Sequence, residues 1–116
     1  LVTVSDKGAH LVFCVPVCAS LHLQRAAKAA GAKSVDMIRQ RELEPLTGYV
    51  HGGCSPVGMK KRFRTFIDES AQAFSDIYVS AGRRGCQMKL SPNGLADYCG
   101  ARFASLCAPK EGAEEA

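Results

Sequence analysis

Strand-like and helix-like segments alternate along this sequence, but several links between them fall short of the dozen or so residues that a parallel crossover needs. A regular βαβ repeat is therefore excluded. The pattern predicts one mixed α/β (α+β) domain, with a mixed, partly barrel-like sheet and flanking helices. Leu1–Ser5 and Ala9–Val15 flank Asp6-Lys7-Gly8 and read as a hairpin. Ser20 is placed to cap a helix over Leu21–Ala30, and Gly31 follows where a left-handed residue is favoured. Ser34–Ile38 alternates as a short strand, and Arg39–Leu46 reads as a helix made short or irregular by Pro45 and stopped by Thr47-Gly48. Phe63–Asp68 and Asp76–Ser80 have strand composition, with a short helix expected over Ser70–Phe74. A Gly-rich turn over Ala81–Gly85 leads into a strand at Cys86–Leu90. Ser91 caps a helix that begins at Pro92 and ends at Gly100, before a last strand over Ala101–Leu106.

At 116 residues, 47% apolar and 22% charged, the chain suits one soluble domain with a real core. The longest apolar run, Leu11–Ala19, is far below the roughly 20 residues of a membrane span, so no membrane partner is expected. The opening LVTVS alternates like a strand and carries no basic stretch ahead of an apolar core, so no export signal is visible and the chain reads as beginning mid-domain. Most of the cysteines (Cys14, Cys18, Cys54, Cys86, Cys99, Cys107) sit in apolar runs where a small hydrophobe would serve. Reduced thiols in a cytoplasmic protein are the expectation. The net charge is +4, with the excess in Lys60-Lys61-Arg62-Phe63-Arg64 and in Arg83-Arg84, which points to a polyanionic partner.

The segment GYVHGGCSPVG, residues 48–58, is a loop whose four glycines and one proline shape its backbone. Its Gly53-to-Gly58 spacing imitates a phosphate-binding loop. Met59 stands where the lysine belongs, however, and Lys61 where a hydroxyl would hold magnesium, so a nucleoside triphosphate site is rejected. Cys14, Cys18 and His22 lack a fourth ligand and fall on different elements, which favours core cysteines over a zinc site. Cys54 is expected to be the one exposed loop thiol, yet His51 need not face it, and a Cys-His pair is disfavoured. His10 reads as a strand-surface residue and Asp68 as a helix cap. The basic run 60–64 is either a solvated face or a phosphate-contacting patch anchored by Phe63.

Taken together, LTGYVHGGCSPVGMKKRF (46–63), FIDES (66–70), IYVSAGRRG (77–85) and the closing helix-strand pair resemble the YbaK/EbsC family from Leu1 to about Cys107. That family comprises free-standing Cys-tRNA(Pro) and Ala-tRNA(Pro) deacylases and the editing insertion of bacterial prolyl-tRNA synthetases. The resemblance implies the family's editing-domain fold over residues 1–108, lacking an N-terminal segment, and leaves 109–116 as an acidic, disordered tail. It implies hydrolysis of the ester of a mischarged tRNA(Pro) in trans, with GGCSPVG and the following KKR nearer the cysteine-specific branch. No cofactor or metal is implied. Mischarged tRNA is the implied partner, and prolyl-tRNA synthetase is a further one.

By the same resemblance, Gly52 and Ser80 are the catalytic positions, and Gly53, Cys54, Ser55, Pro56, Gly82 and Arg83 bind the substrate. Lys60, Lys61, Arg62 and Arg84 contact tRNA. The family mechanism lets the substrate's own thiol attack its ester, which needs no protein nucleophile and relies on preorganised donors at the oxyanion. Two departures stand out. The family's functional lysine would fall just ahead of Leu1, where neither Lys7 nor Lys60 can be assigned to its place. Gln87 stands where some members carry aspartate. A non-catalytic tRNA- or synthetase-binding module of the same fold is the alternative.

Overall fold

A computed structural model of the chain describes residues 1–107; the expected tail at 109–116 and the domain end at 108 lie outside the described residues. β1 (Val2–Ser5) and β2 (His10–Cys14) form the expected antiparallel hairpin, with Val2 opposite Val12. Gly8 turns the corner at φ +83°, and Ser5 Oγ accepts the N–H of Ala9. The turn is held to the rest of the chain by Asp6, whose carboxylate accepts the Lys33 N–H.

α1 runs over Leu23–Ala30 and closes on Gly31 at φ +73°. Its cap is His22, not Ser20. Leu21 is held extended in a bridge to Cys107, and the His22 N–H donates to the Leu106 carbonyl. The helix can therefore start only after residue 22, where the imidazole Nδ1 accepts the Arg25 N–H. β3 (Val35–Met37) follows on the outer side of β1. α2 (Gln40–Thr47) contains Pro45 and is short, as expected; the Glu42 carboxylate accepts the Arg39 N–H at its start.

β4 (Arg64–Asp68) lies parallel to β2, and β7 (Arg102–Ala104) lies parallel to β4, giving a five-stranded mixed sheet in the order β3-β1-β2-β4-β7. Between them, Glu69–Ala73 makes a 3-10 turn capped by Asp68, and α3 (Pro92–Cys99) starts on Ser91 and ends on Gly100 as its residues dictate. β5 (Ile77–Arg83) and β6 (Cys86–Leu90) form a separate antiparallel pair. The expected turn at 81–85 is shorter than predicted. Pairing resumes at Arg83–Cys86 after an irregularity at Ser80–Arg83, so β5 carries Gly82 inside the strand.

Side chains alternate across this sheet with the period of two that strands impose. Leu11, Phe13 and Phe66 point to one face and pack on Ala26 and Ala27 of α1 and on Leu106. Phe13 and Phe66 stack with ring centroids 5.3 Å apart. Phe13 is fully buried, and truncating it to alanine would cost about 3–5 kcal/mol. Val2 and Val12 point to the other face, under Leu43 of α2, and Ile67 meets Leu95 and Ala96 of α3. That second face also receives Cys54, Val57, Met59 and Val79, so the glycine-rich loop and the β5–β6 pair are assembled over it. Among the described residues, no helix is long and apolar enough to cross a membrane.

Candidate active site

The loop that follows α2 is fastened at both ends by Thr47, which is buried. Its Oγ1 donates to the Leu43 carbonyl at 2.8 Å and accepts the Tyr49 N–H at 3.1 Å, while its carbonyl accepts the Lys60 N–H at 3.0 Å. Tyr49 then acts as a bolt. Its hydroxyl donates to the Val57 carbonyl across the loop, and its ring lies so close to Gly82 that a Cβ there would sit 2.8 Å from Cε1. A Cβ on Gly53 would come within 3.1 Å of the Arg84 backbone nitrogen, so the loop rests directly on the end of the β5–β6 pair. Arg84 Nε closes the join by donating to the His51 carbonyl at 2.8 Å.

Beneath this junction lies a cavity of about 590 Å³, floored by the sheet and walled by Gly52, Cys54, Ser55 and Pro56 on one side and by Ser80 and Gln87 on the other. Five of the residues expected from sequence, Gly52, Cys54, Ser55, Pro56 and Ser80, thus meet on one cavity. Gly53 supports the loop from behind, Gly82 backs on Tyr49, and exposed Arg83 stands outside the lining. Gln87 is the cross-strand partner of Ser80, so an uncharged amide stands beside that hydroxyl on the same wall.

The two serines are held in the same way. Ser55 Oγ accepts the Val57 N–H and Ser80 Oγ accepts the Gly82 N–H, each at 3.2 Å. Each hydroxyl is fixed through its lone pair, which leaves its proton available for a ligand oxygen. The thiols on the cavity behave otherwise. Burial pushes Cys14 up to about 11 and raises Cys54 as well, so both stay neutral and are poor nucleophiles at physiological pH.

This corrects the sequence reading. Cys54 is half-buried against the Val2, Val12 and Leu43 cluster, whereas Cys18 and Cys86, expected in the core, are exposed. Both flank turns where no layer covers the strand or loop. His22 is committed as a helix cap, and among the described residues no group of three His, Cys, Asp or Glu side chains is placed to hold a metal ion.

The basic run divides. Phe63 anchors it, packing against the Val2, Val12 and Leu43 cluster with its ring edge-on to His10, 6.0 Å between centroids. Lys60 is exposed with its stem against Gly48, and Arg64 turns back to the Ala30 carbonyl. Lys61 and Arg62 instead line a second cavity of about 400 Å³, bounded also by Tyr98 and Cys99 of α3. Of two residues that organise the site, Thr47 reads in the sequence only as a helix stop and Tyr49 has no role assigned from sequence. Their signal was weak: a polar and an aromatic residue flanking Gly48 look like ordinary loop chemistry.

The candidate site is thus a sheet-backed cavity roofed by a glycine-rich loop, with two serine hydroxyls and two neutral thiols on its lining. The model of the aminoacyl-tRNA editing domain matches residues 1–98, and the chain belongs to that family. It is 45% identical over 106 residues to the "Putative Cys-tRNA(Pro)/Cys-tRNA(Cys) deacylase EbsC" of Enterococcus faecalis, a match that takes in 91% of this chain and 65% of that protein. The chain therefore spans just under two thirds of the length of this relative. Among solved structures, it is similar to a "putative trans-editing enzyme for prolyl tRNA synthetase", with a TM-score of 0.83 and 27% identity over 93% of this chain and 68% of that one. It is also similar to the hypothetical protein APE2540, with a TM-score of 0.85 and 25% identity over 93% of this chain and 71% of that one. These likenesses bear out the mixed α/β editing-domain fold expected from the sequence.

Proposed function

We propose that the cavity under the Gly52–Pro56 loop receives the aminoacyl end of a mischarged tRNA, Cys-tRNA(Pro) above others, and that its ester is hydrolysed there. The observation that carries this reading is the pairing of Ser80 and Ser55, each held by a backbone N–H and each facing one cavity. A donor fixed before the substrate arrives needs no reorganisation as negative charge develops on the ester carbonyl. The cavity's own thiols are neutral, so the chemistry falls to the substrate. The cysteinyl sulfur attacks its own carbonyl carbon, the carbon–ribose oxygen bond breaks, and the thiol proton passes to the departing ribose oxygen. Water then opens the cyclic thioester. Gly52 lets the loop backbone approach the substrate, Gly53, Cys54 and Pro56 set the shape of the amino-acid pocket, and Gly82 with Arg83 supports the ribose side. Lys60, Lys61, Arg62 and Arg84 meet phosphates.

An enzyme acting on mischarged tRNA belongs where translation occurs, in the cytoplasm, and a prolyl-tRNA synthetase is the natural source of its substrate. The test is release of cysteine from Cys-tRNA(Pro), with Ala-tRNA(Pro) alongside, by the chain alone and by a form extended ahead of Leu1 with a segment supplying a lysine. Faster release of cysteine than alanine supports the reading. Pocket selectivity between such small side chains is worth only about 1–3 kcal/mol, so some alanine release is expected too. Tight tRNA binding without hydrolysis by either form would leave a binding module instead.

A further inference from the structure

The lining of the second cavity includes neither Ser55 nor Ser80. That cavity is lined by Lys61, Arg62 and Tyr98, and Tyr98 is 67% exposed for so large a side chain. Among the described residues, no carboxylate lies within ion-pair distance of either cation. Arg62 Nη2 donates to the Tyr98 carbonyl at 3.4 Å, and among the described residues its other N–H groups have no hydrogen-bond partner. Pro56 and Met59 line this cavity and the larger one alike, so the two share a wall made by a single stretch of loop.

Cations beside an exposed aromatic ring are what a single-stranded nucleic acid requires, a phosphate on the charge and a base on the ring. An acidic peptide would use the charges and leave the ring without a partner. We propose that this cavity is a nucleotide subsite for the single-stranded 3′ end of the RNA: Tyr98 stacks on a base preceding the terminal adenosine, and Lys61 and Arg62 hold its phosphates. The proposal rests on the reading of the larger cavity as the aminoacyl site. It adds that the loop 56–59 sits between two consecutive parts of one strand, the ester on one side and the upstream nucleotide on the other.

The experiment is equilibrium binding of two hairpin RNAs, one ending in an unpaired CCA and one trimmed to its base-paired end, to the wild-type chain and to variants. Tyr98→Ala should weaken binding of the CCA-ended RNA by about tenfold or more and leave the trimmed RNA unchanged, and Tyr98→Phe should restore most of the loss. Lys61→Ala and Arg62→Ala should each lower the slope of log affinity against log salt by about 0.7. Equal affinity of Tyr98→Ala and wild type for the CCA-ended RNA, or equal losses on both RNAs, overturns the subsite. So does failure of the wild type to bind either RNA. Cysteine release by the same preparations separates the two readings. An active wild type with an unimpaired Tyr98→Ala variant would end the subsite and keep the deacylase, whereas the Tyr98 binding pattern without cysteine release would do the reverse.

Discussion

Asp68 ties three elements together through one carboxylate. Its Oδ1 accepts the Leu106 N–H at 3.0 Å and its Oδ2 the Ser70 N–H at 3.1 Å, so it caps the 3-10 turn and holds the segment that follows β7. Burial works to raise its pKa, but the hydrogen bonds from Ser70 and Leu106 outweigh it, and the group titrates below its ordinary 3.8. A depressed folded-state value means that the stabilisation is complete above the unfolded pKa and is lost as pH falls through the folded one. Asp68→Asn should therefore cost about 1–3 kcal/mol near neutrality in urea denaturation, and part of the acid-limb slope of stability against pH should vanish with it. An unchanged acid limb would remove Asp68 from this role. The capping role was legible because Asp precedes Glu-Ser at a strand end. The bond to Leu106 was not, because the two lie 38 positions apart. The cysteines show the same limit. Apolar neighbours predict burial, but Cys18 and Cys86 face outward at the ends of their segments. Under native conditions these two should react with a maleimide well before the half-buried Cys14, whose thiol is also held up at about 11; mass spectrometry of a time course reads this directly. Cys54 labelling as fast as Cys86 would contradict its half-buried placement.

At the scale of elements, helix boundaries followed local chemistry closely where a Ser-Pro start and a Gly end were both present, as in α3. They slipped at α1, where a long-range bridge from Leu21 to Cys107 delayed the start to His22. The loop after α2 was legible as a shaped loop but not as a fastened one, since its bolt, Tyr49, meets β5 only in three dimensions. Gly82 is the sharper test of that join. At φ +100° and with Tyr49 Cε1 2.8 Å from where a Cβ would stand, Gly82→Ala should destabilise by about 1–3 kcal/mol and displace the loop. Gly85, at φ +73° but with open space around it, should lose only about 1–2 kcal/mol as alanine and leave the loop in place. Thermal melts with an intrinsic tyrosine signal distinguish them. Equal losses with an undisturbed loop would show that Tyr49 does not couple the two elements.

For the whole molecule, the alternation of Leu11, Val12 and Phe13 across one strand decides what each face does. One face closes under α1 as an apolar core. The other is covered by α2, α3, the glycine-rich loop and the β5–β6 pair, and the seams between these covers are the two cavities. The mixed sheet, its flanking helices and its opening hairpin are legible from short links and turn residues; the order β3-β1-β2-β4-β7 and the separate β5–β6 pair are not. The cavities are equally hidden, because each is lined by segments far apart in the sequence. If the ester is broken in the larger cavity, with Ser80 as a preset donor, single-turnover decay of Cys-tRNA(Pro) at saturating protein should slow by about 10²–10³ in Ser80→Ala with tRNA affinity unchanged. A Ser80→Ala variant as fast as the wild type would place the reaction elsewhere.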